Sequence, residues 1–425
     1  MQLNLKANHI NVISIICASL VPLMVTGPFL PDLIISLLSV WFLYHSIKYK
    51  FLKRYFNNYF YFFISFCIIC TISSLNSENL MSLKSSVFYF RIGIFALFIS
   101  FIIDKNKKIL DYFYFSFLIT FFVLIVDGYF QHITGVNLFG SKMNGIRVSS
   151  LFGEELILGS YLSRLFPLFF AIFVIRKNKN TPEIFIVSVL FILIDVLIFI
   201  SGERTAFFLL NLSTIFIVLF ISKYKLLRAT LFIISFLIIG FITSKNEDLY
   251  FRYIDYPIQA MGLNNSLKNS ESLKDSDSRD SSNKFKFFTP GHDSTIRTAY
   301  NMFLDKPIFG HGPKIYRIKC DDPRYAEGIS PCKNHPHNFY IQLLAETGII
   351  GFLFLLGLLI YFIFLVTKHA MFGLFYNKKL LTDYQICLLA GLLITIWPFV
   401  PSGSIFNNQL MLFYGLQMGF FKKNI

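Results

Sequence analysis

Apolar residues in this chain run in blocks of about 17 to 25, each long enough to cross a hydrocarbon core of roughly 30 Å as a helix. Twelve such spans are expected, at about 10–26, 29–47, 58–75, 86–103, 110–128, 156–175, 184–201, 205–222, 227–243, 338–366, 385–400 and 405–421. Backbone in lipid must satisfy its own hydrogen bonds, which leaves helices and closed barrels. Barrel strands alternate apolar and polar over roughly ten residues, and these blocks do not. Only 15% of the 425 residues are charged and mean hydropathy is +0.60, against about 25% charged in soluble domains. The expected fold class is therefore an all-α polytopic membrane protein. Lys6 precedes the first span as in a signal peptide, but no small-x-small cleavage site follows, so that span is read as uncleaved.

Charge gives the orientation. The net charge of +15, from 39 Lys+Arg against 24 Asp+Glu, is scattered in short clusters rather than gathered in one patch, which argues against nucleic-acid binding. Lys6; Lys48, Lys50, Lys53 and Arg54; Lys105, Lys107 and Lys108; Arg176, Lys177 and Lys179; Lys223, Lys225 and Arg228; Lys368, Lys378 and Lys379; and Lys422 and Lys423 fall at alternate span ends. The opposite short loops carry only Lys84, Lys142, Arg147 and Arg204. The positive-inside rule then puts the clustered side and both termini in the cytoplasm.

The chain accordingly divides into a membrane part at 1–243 with spans one to nine, a large outer domain at 244–337, and a second membrane part at 338–425 with spans ten to twelve. Within the outer domain, the polar, Ser-rich stretch 262–286 is expected to be mobile. Flanks containing Tyr300, Met302, Phe303, Ile308 and Phe309 predict amphipathic helices against the membrane domain. Cys320 and Cys332 are the two cysteines of this segment, and an oxidising compartment would join them.

Ionisable groups at or within a bilayer are costly and are functional candidates by default. In ISGERTAFF, a very short outer hairpin fixes Arg204 beside Glu203, where a guanidinium holds a phosphate by paired hydrogen bonds or anchors a lipid headgroup. Arg297 lies on a helix whose start is capped by Asp293 or Ser294; a solvated surface charge is the plain alternative. His337 and Asn338 stand where the outer domain enters span ten, and a neutral imidazole there can take a proton from a sugar hydroxyl. Cys332, His335 and His337 lack a fourth ligand and have Pro336 between the histidines, so no metal is expected. Glu346, roughly 13 Å further along the helix, is read as a structural tie between spans. Asp127, Gln131 and Arg147 near the same outer face form either a polar floor for a sugar or loop packing. Arg91 and Arg164 within spans pair with a carboxylate such as Asp195 or snorkel.

These segments resemble the bacterial O-antigen ligase and polymerase superfamily of lipid-linked glycan transferases. The likeness rests on HPHNFYIQLLAETGIIG, SGERTAFF, RTAYNMFLDKPIFGHGP and RVSSLFGEELILGSYL, which occur in the family's order between about 126 and 351. The resemblance implies a glycosyltransferase of the bacterial inner membrane, with its site on the periplasmic side and neither metal nor cofactor. Its donor would be an undecaprenyl-diphosphate-linked glycan and its acceptor a lipid A–core or a growing glycan. By that likeness Arg204 and Arg297 hold the diphosphate and His337 is the base, with inversion at the anomeric carbon. Asn338, Glu203, Arg147, Asp127 and Gln131 would line the substrate cavity. Transfer to lipid A–core is the leading expectation and repeat-unit polymerisation the alternative. A lipid-linked saccharide flippase is the reading from another class, although transporters place critical charges near the bilayer midplane.

Overall fold

The computed structural model describes residues 7–77, 79–177, 179–260 and 289–421. Lys6, Lys422, Lys423 and the 262–286 stretch lie outside the described residues. In chain order the helices are α1 (Ala7–Ala18), α2 (Leu20–Leu23), α3 (Phe29–Lys48), α4 (Asn58–Leu75), α5 (Leu80–Phe88) and α6 (Phe90–Lys105). There follow α7 (Ile109–Thr134), α8 (Leu158–Ile175), α9 (Thr181–Ile200), α10 (Arg204–Phe220), α11 (Lys225–Lys245), α12 (Glu247–Tyr250) and α13 (Tyr256–Ala260). The chain closes with α14 (Pro290–Asp305), α15 (Tyr316–Lys319), α16 (Phe339–Tyr376), α17 (Asp383–Ile396) and α18 (Asn408–Phe420).

Each of the twelve apolar segments falls on helix. Among the described residues, eight helical stretches are long and apolar enough to cross a membrane, while Asn8–Leu23, Arg204–Phe220 and Asp383–Ile396 are shorter apolar helices. Several helices begin at a side-chain cap that satisfies the free N–H groups of the first turn. Asn57, Asn79, Asn180, Asn246, Asn338 and Asn407 each accept a backbone N–H one turn on. Thr382 and Gln385 form a reciprocal capping box at α17.

The core is aromatic and continuous, with Phe95, Phe113, Phe117, Phe121, Phe166, Phe169 and Phe191 wholly buried. α8 is the most enclosed of the candidate spans and packs against α17, α10 and α9. Charges inside the bundle are paired in ways the sequence did not reveal. Asp195 meets Arg228, not Arg91 or Arg164: Nη1 and Nη2 of Arg228 donate to its two oxygens at 2.8 and 2.9 Å. Arg228, counted in the sequence with the cationic loop ahead of α11, is fully buried. Thr214 Oγ1 accepts from its guanidinium and Ser235 Oγ donates to Asp195, while the Phe166 ring lies 4.4 Å from Arg228 Cζ. Arg91 pairs with Asp32 at the start of α3. Arg164 is buried, and its Nε and Nη1 have no hydrogen-bond partner among the described residues.

A buried pair of this kind is costly to break from one side, because the surviving charge is left desolvated; the loss is about 3–5 kcal/mol. Asp195→Ala should therefore lower the unfolding temperature of the detergent-solubilised protein sharply. The double replacement Asp195→Leu, Arg228→Met should recover most of that loss. A double variant as unstable as the single one would contradict the pairing.

Candidate functional site at the outer rim

The site is built around a break in α16. Gly348, at φ 66° and ψ −166°, leaves the helical conformation, so nearby backbone groups need partners from elsewhere. The outer segment 307–312 supplies them. His311 N donates to Ala345 O at 3.0 Å, Gly312 N to Glu346 O at 2.8 Å, and Ile349 N to Pro307 O at 2.8 Å. Ser73 Oγ on α4 also donates to Glu346 O and Phe309 O. Such close approach requires glycine on both sides. A Cβ on Gly310 would stand 2.5 Å from the Glu346 carbonyl carbon, and one on Gly348 would stand 2.2 Å from Ile308 O.

Glu346 completes the tie, its Oε1 accepting Tyr316 N at 2.9 Å and its Oε2 accepting Gln342 Nε2 at 3.0 Å. Gln342 in turn reaches Ser404 Oγ and Ile405 N ahead of α18. The FGHG and ETG portions of the sequence motifs are thus a docking joint between the outer segment and the bundle.

This joint and the strap between α17 and α18 hold the HPHN segment. Asn338 caps α16 through Tyr340 N and Ile341 N and donates from Nδ2 to Pro398 O at 2.8 Å. Ser402 N donates to His337 O at 2.8 Å, and His335 Nε2 donates to Ser402 O at 3.2 Å. His337 adopts a left-handed φ of 57°, an uncommon conformation for a residue with a Cβ.

The held segment presents a row of three imidazoles. His337 lies 4.2 Å from His335 and 5.1 Å from His292 of α14, ring centre to ring centre. Burial, followed by the neighbouring His335 and His292 rings and Lys333, pushes His337 down to about 3. Burial likewise lowers His335 and His292, the latter with help from Lys333 and Arg204. All three rings are therefore neutral near pH 7, each with one unprotonated ring nitrogen.

A cationic group adjoins this row. Arg204, the first residue of α10, has Cζ 4.7 Å from the Tyr256 ring. Arg252, in the π-helical turn Phe251–Asp255, donates from Nε to Gly202 O at 2.6 Å. Gly202 also touches Arg147: a Cβ there would lie 3.1 Å from both Arg147 Cγ and Arg252 Nε. Arg147 donates from Nη2 to Leu156 O at 3.1 Å, and its buried Nε has no hydrogen-bond partner among the described residues. Burial, then Arg147 and Arg204, lower the Arg252 guanidinium. Among the described residues none of these three arginines has an ion pair. Glu203, next to Arg204 and close enough to Arg147 to feel its charge, spends its oxygens on the first turn of α8, so three like charges stand together with no direct ion pair, which suits an anion.

Arg297 is not part of that group. It is 58% exposed and is engaged by Asp293 Oδ2 at 2.8 Å and Glu327 Oε1 at 3.1 Å. Its helix periodicity gave no means of foreseeing the carboxylate 30 residues away. Glu203, Asp127 and Gln131 are buried and their side chains make hydrogen bonds within the protein. Glu203 accepts Gly159 N, Ser160 N and Ser160 Oγ, capping the start of α8. Asp127 accepts Leu138 N and Ser150 Oγ, while Gln131 accepts Ser149 N and Ser150 N and donates to Ser141 O. These bonds shape the loop that carries Arg147. Cys332 is bonded to Cys320, closing a loop of sequence separation 12. The sequence reading did not single out Arg252 and His292, although an arginine among aromatic residues just beyond an apolar span is a usable signal for the first.

With this geometry in view, the family comparison supports a membrane glycosyltransferase class. The family model described as O-antigen ligase matches residues 186–356. This stretch of the chain is similar to the O-antigen ligase family. The matched stretch contains Arg204, Arg252, His292, Arg297, His337 and Glu346; Arg147 lies before it. No curated protein matches the chain. The matched stretch thus takes in the helix-break joint, the imidazole row and two of the three clustered arginines.

If the joint fixes the outer segment, Gly310→Ala should unseat it. Limited proteolysis of the reconstituted protein should then cut within 289–337 several-fold faster, whereas Gly357→Ala, which faces open space, should leave the rate unchanged. Equal rates in both variants would contradict the joint.

Proposed function

We propose that the protein is an O-antigen ligase-type glycosyltransferase that moves a glycan from undecaprenyl diphosphate to a lipid A–core hydroxyl at the periplasmic face. The twelve-span topology with both termini cytoplasmic belongs to the same proposal. The observation that carries it is the group Arg147, Arg204 and Arg252, without an ion pair, beside the neutral His337 row; of these, Arg204, Arg252 and His337 fall within the stretch matched to the ligase family.

In this reading the arginines bind the donor diphosphate and stabilise the charge that develops as the bond from the anomeric carbon to the diphosphate oxygen breaks. His337 takes the proton of the acceptor hydroxyl as its oxygen bonds to that carbon, an effect typically worth 10²–10⁴-fold. The electron pair leaves with the diphosphate, and attack from the opposite side inverts the centre. No metal or organic cofactor is needed for these steps. Asn338 positions the base through its cap. The left-handed backbone at His337 is the strained geometry that positions catalytic groups elsewhere.

Arg297 keeps its proposed role as a diphosphate ligand through exchange, with phosphate oxygens replacing Asp293 and Glu327. Repeat-unit polymerisation uses the same chemistry with a lipid-linked acceptor. A flippase is disfavoured because the arginines and histidines lie at helix ends and loops rather than at a midplane break.

Variants expressed at normal level in a null strain should separate these readings, with lipopolysaccharide and lipid-linked glycan analysed together. Arg204→Ala, Arg252→Ala and His337→Ala should each reduce transfer at least a hundredfold, leaving long glycan on undecaprenyl diphosphate and a bare lipid A–core. Core carrying a single repeat would indicate a polymerase, and donor trapped on the cytoplasmic leaflet a flippase. Arg297→Ala should also lose transfer while Glu327→Gln, which frees the guanidinium, retains it. Equal losses from that pair would reduce Arg297 to a surface clamp, and wild-type profiles throughout would overturn the catalytic assignment.

A further inference from the structure

The strap between α17 and α18 begins with Trp397, Pro398 and Phe399. The chain on either side of the indole is tied to the first turn of α16. Tyr340 Oη donates to Ile396 O at 2.7 Å, and Asn338 Nδ2 donates to Pro398 O at 2.8 Å. Further along, Ser402 N donates to His337 O at 2.8 Å. Trp397 therefore has a fixed place relative to the His337 backbone.

The indole also meets α10. The ring centres of Trp397 and Phe208 are 6.2 Å apart, and those of Trp397 and Phe399 are 6.0 Å apart. Phe208 follows Arg204 by four residues and shares its helix face, and helical side chains lean back over the preceding turn. The three rings thus run from the arginine that opens α10 to the strap that holds His337. Neither neighbour lies flat on the indole, since the planes cross at 45° and 77°. Phe208 is 41% exposed and Phe399 is 62% exposed.

Polar groups accompany the rings. Trp397 Nε1 and Ser402 Oγ are shielded and have no hydrogen-bond partner among the described residues. A sugar offers both things this place lacks, an apolar C–H face for the rings and hydroxyls for the polar atoms. A polyprenyl chain would leave the polar atoms unsatisfied at a cost. Arginines that hold a diphosphate still leave the bond to the anomeric carbon free to turn. A flat aromatic surface between diphosphate and base removes that freedom, and orientation of this kind lowers a barrier substantially.

We propose that Trp397, supported by Phe208 and Phe399, is the platform for the donor sugar that carries the diphosphate, and that it sets which face of the anomeric carbon meets His337. The proposal rests on the transferase reading and deepens it: the site recognises a pyranose ring as well as a lipid diphosphate.

Trp41 and Trp397 are the two tryptophans of the chain. Trp41→Phe keeps a ring beside His45 and leaves Trp397 as the sole reporter. That full-length variant in nanodiscs is titrated with an undecaprenyl-diphosphate-linked single repeat, with undecaprenyl diphosphate alone, and with lipid A–core. The sugar-bearing donor should change Trp397 emission saturably, and the other two should leave it unchanged. Measured by displacement of a fluorescent donor, Trp397→Ala should bind the sugar-bearing donor at least tenfold more weakly and undecaprenyl diphosphate as wild type does. Trp397→Phe should retain most of the affinity. Phe399→Ala, at an exposed position, should weaken donor binding several-fold and supplies the test if Trp397→Ala does not fold.

Three results would overturn the proposal. An equal emission change with undecaprenyl diphosphate alone would assign the rings to lipid, and a change with lipid A–core in place of the donor would assign them to the acceptor. Wild-type donor affinity in Trp397→Ala and Phe399→Ala would leave the rings as an interfacial anchor. Arg204→Ala separates these outcomes from the transferase reading. It should lose affinity for the donor and for undecaprenyl diphosphate alike; if it keeps both, the diphosphate reading fails while a sugar-dependent Trp397 signal still stands.

Discussion

Unsatisfied backbone at the Gly348 break is the constraint from which the outer rim follows. In a hydrocarbon setting an unpaired N–H or C=O costs several kcal/mol, so a span can open only where another segment closes its hydrogen bonds. Residues 307–312 do this, entering against α16 where Gly310 and Gly348 leave no room for side chains. One consequence is that the outer segment is locked to the bundle with defined register. Another is that Glu346, wholly buried, spends its oxygens on Tyr316 N and Gln342. The chain leading into α16, and with it His337, therefore has one place to go.

Charge is sorted by the same economy of partners. Carboxylates near the rim are satisfied locally: Glu203 by the first turn of α8, Asp127 by the loop before α8, Asp32 by Arg91. Within the bundle Asp195 and Arg228 neutralise each other. Arg147, Arg204 and Arg252 are left grouped around the hairpin at Gly202. Their positions are set by packing and backbone contacts, and such preorganised positive charge favours a developing anion without reorganisation at the moment of reaction. The imidazoles beside them are held neutral by burial and by surrounding positive charge. Together, fixed cations and neutral bases are what glycan transfer from a diphosphate requires.

Much of this was legible in sequence, for definable reasons. Lipid tolerates few secondary structures, so the apolar blocks translate directly into helices. The sequence places His337 and Asn338 at the entry to span ten, and the structure adds that Asn338 caps that helix. The short hairpin around Arg204 announces a fixed guanidinium. What was not legible depends on partners distant in the chain. Arg228 reads as a loop cation until Asp195, 33 residues earlier, is seen beside it. Arg297 reads as a free helix-face cation until Glu327 closes on it, and Glu203 reads as a site carboxylate until it caps α8. His292 falls in a segment without strong periodicity and no pattern distinguishes it from an ordinary flank, whereas Arg252 is marked only by the aromatic residues around it just beyond an apolar span. The glycines of FGHG and ETG read as motif letters, and their role as mutual clearance emerges only when both segments are in contact.

Direct observation of the donor anion tests the central claim most directly. A cryo-EM structure of the reconstituted protein with undecaprenyl diphosphate should show diphosphate density within hydrogen-bond distance of Arg204 and Arg252, with His337 on its accessible side. Density placed elsewhere, with the Arg147, Arg204 and Arg252 group empty at saturating lipid, would contradict the account.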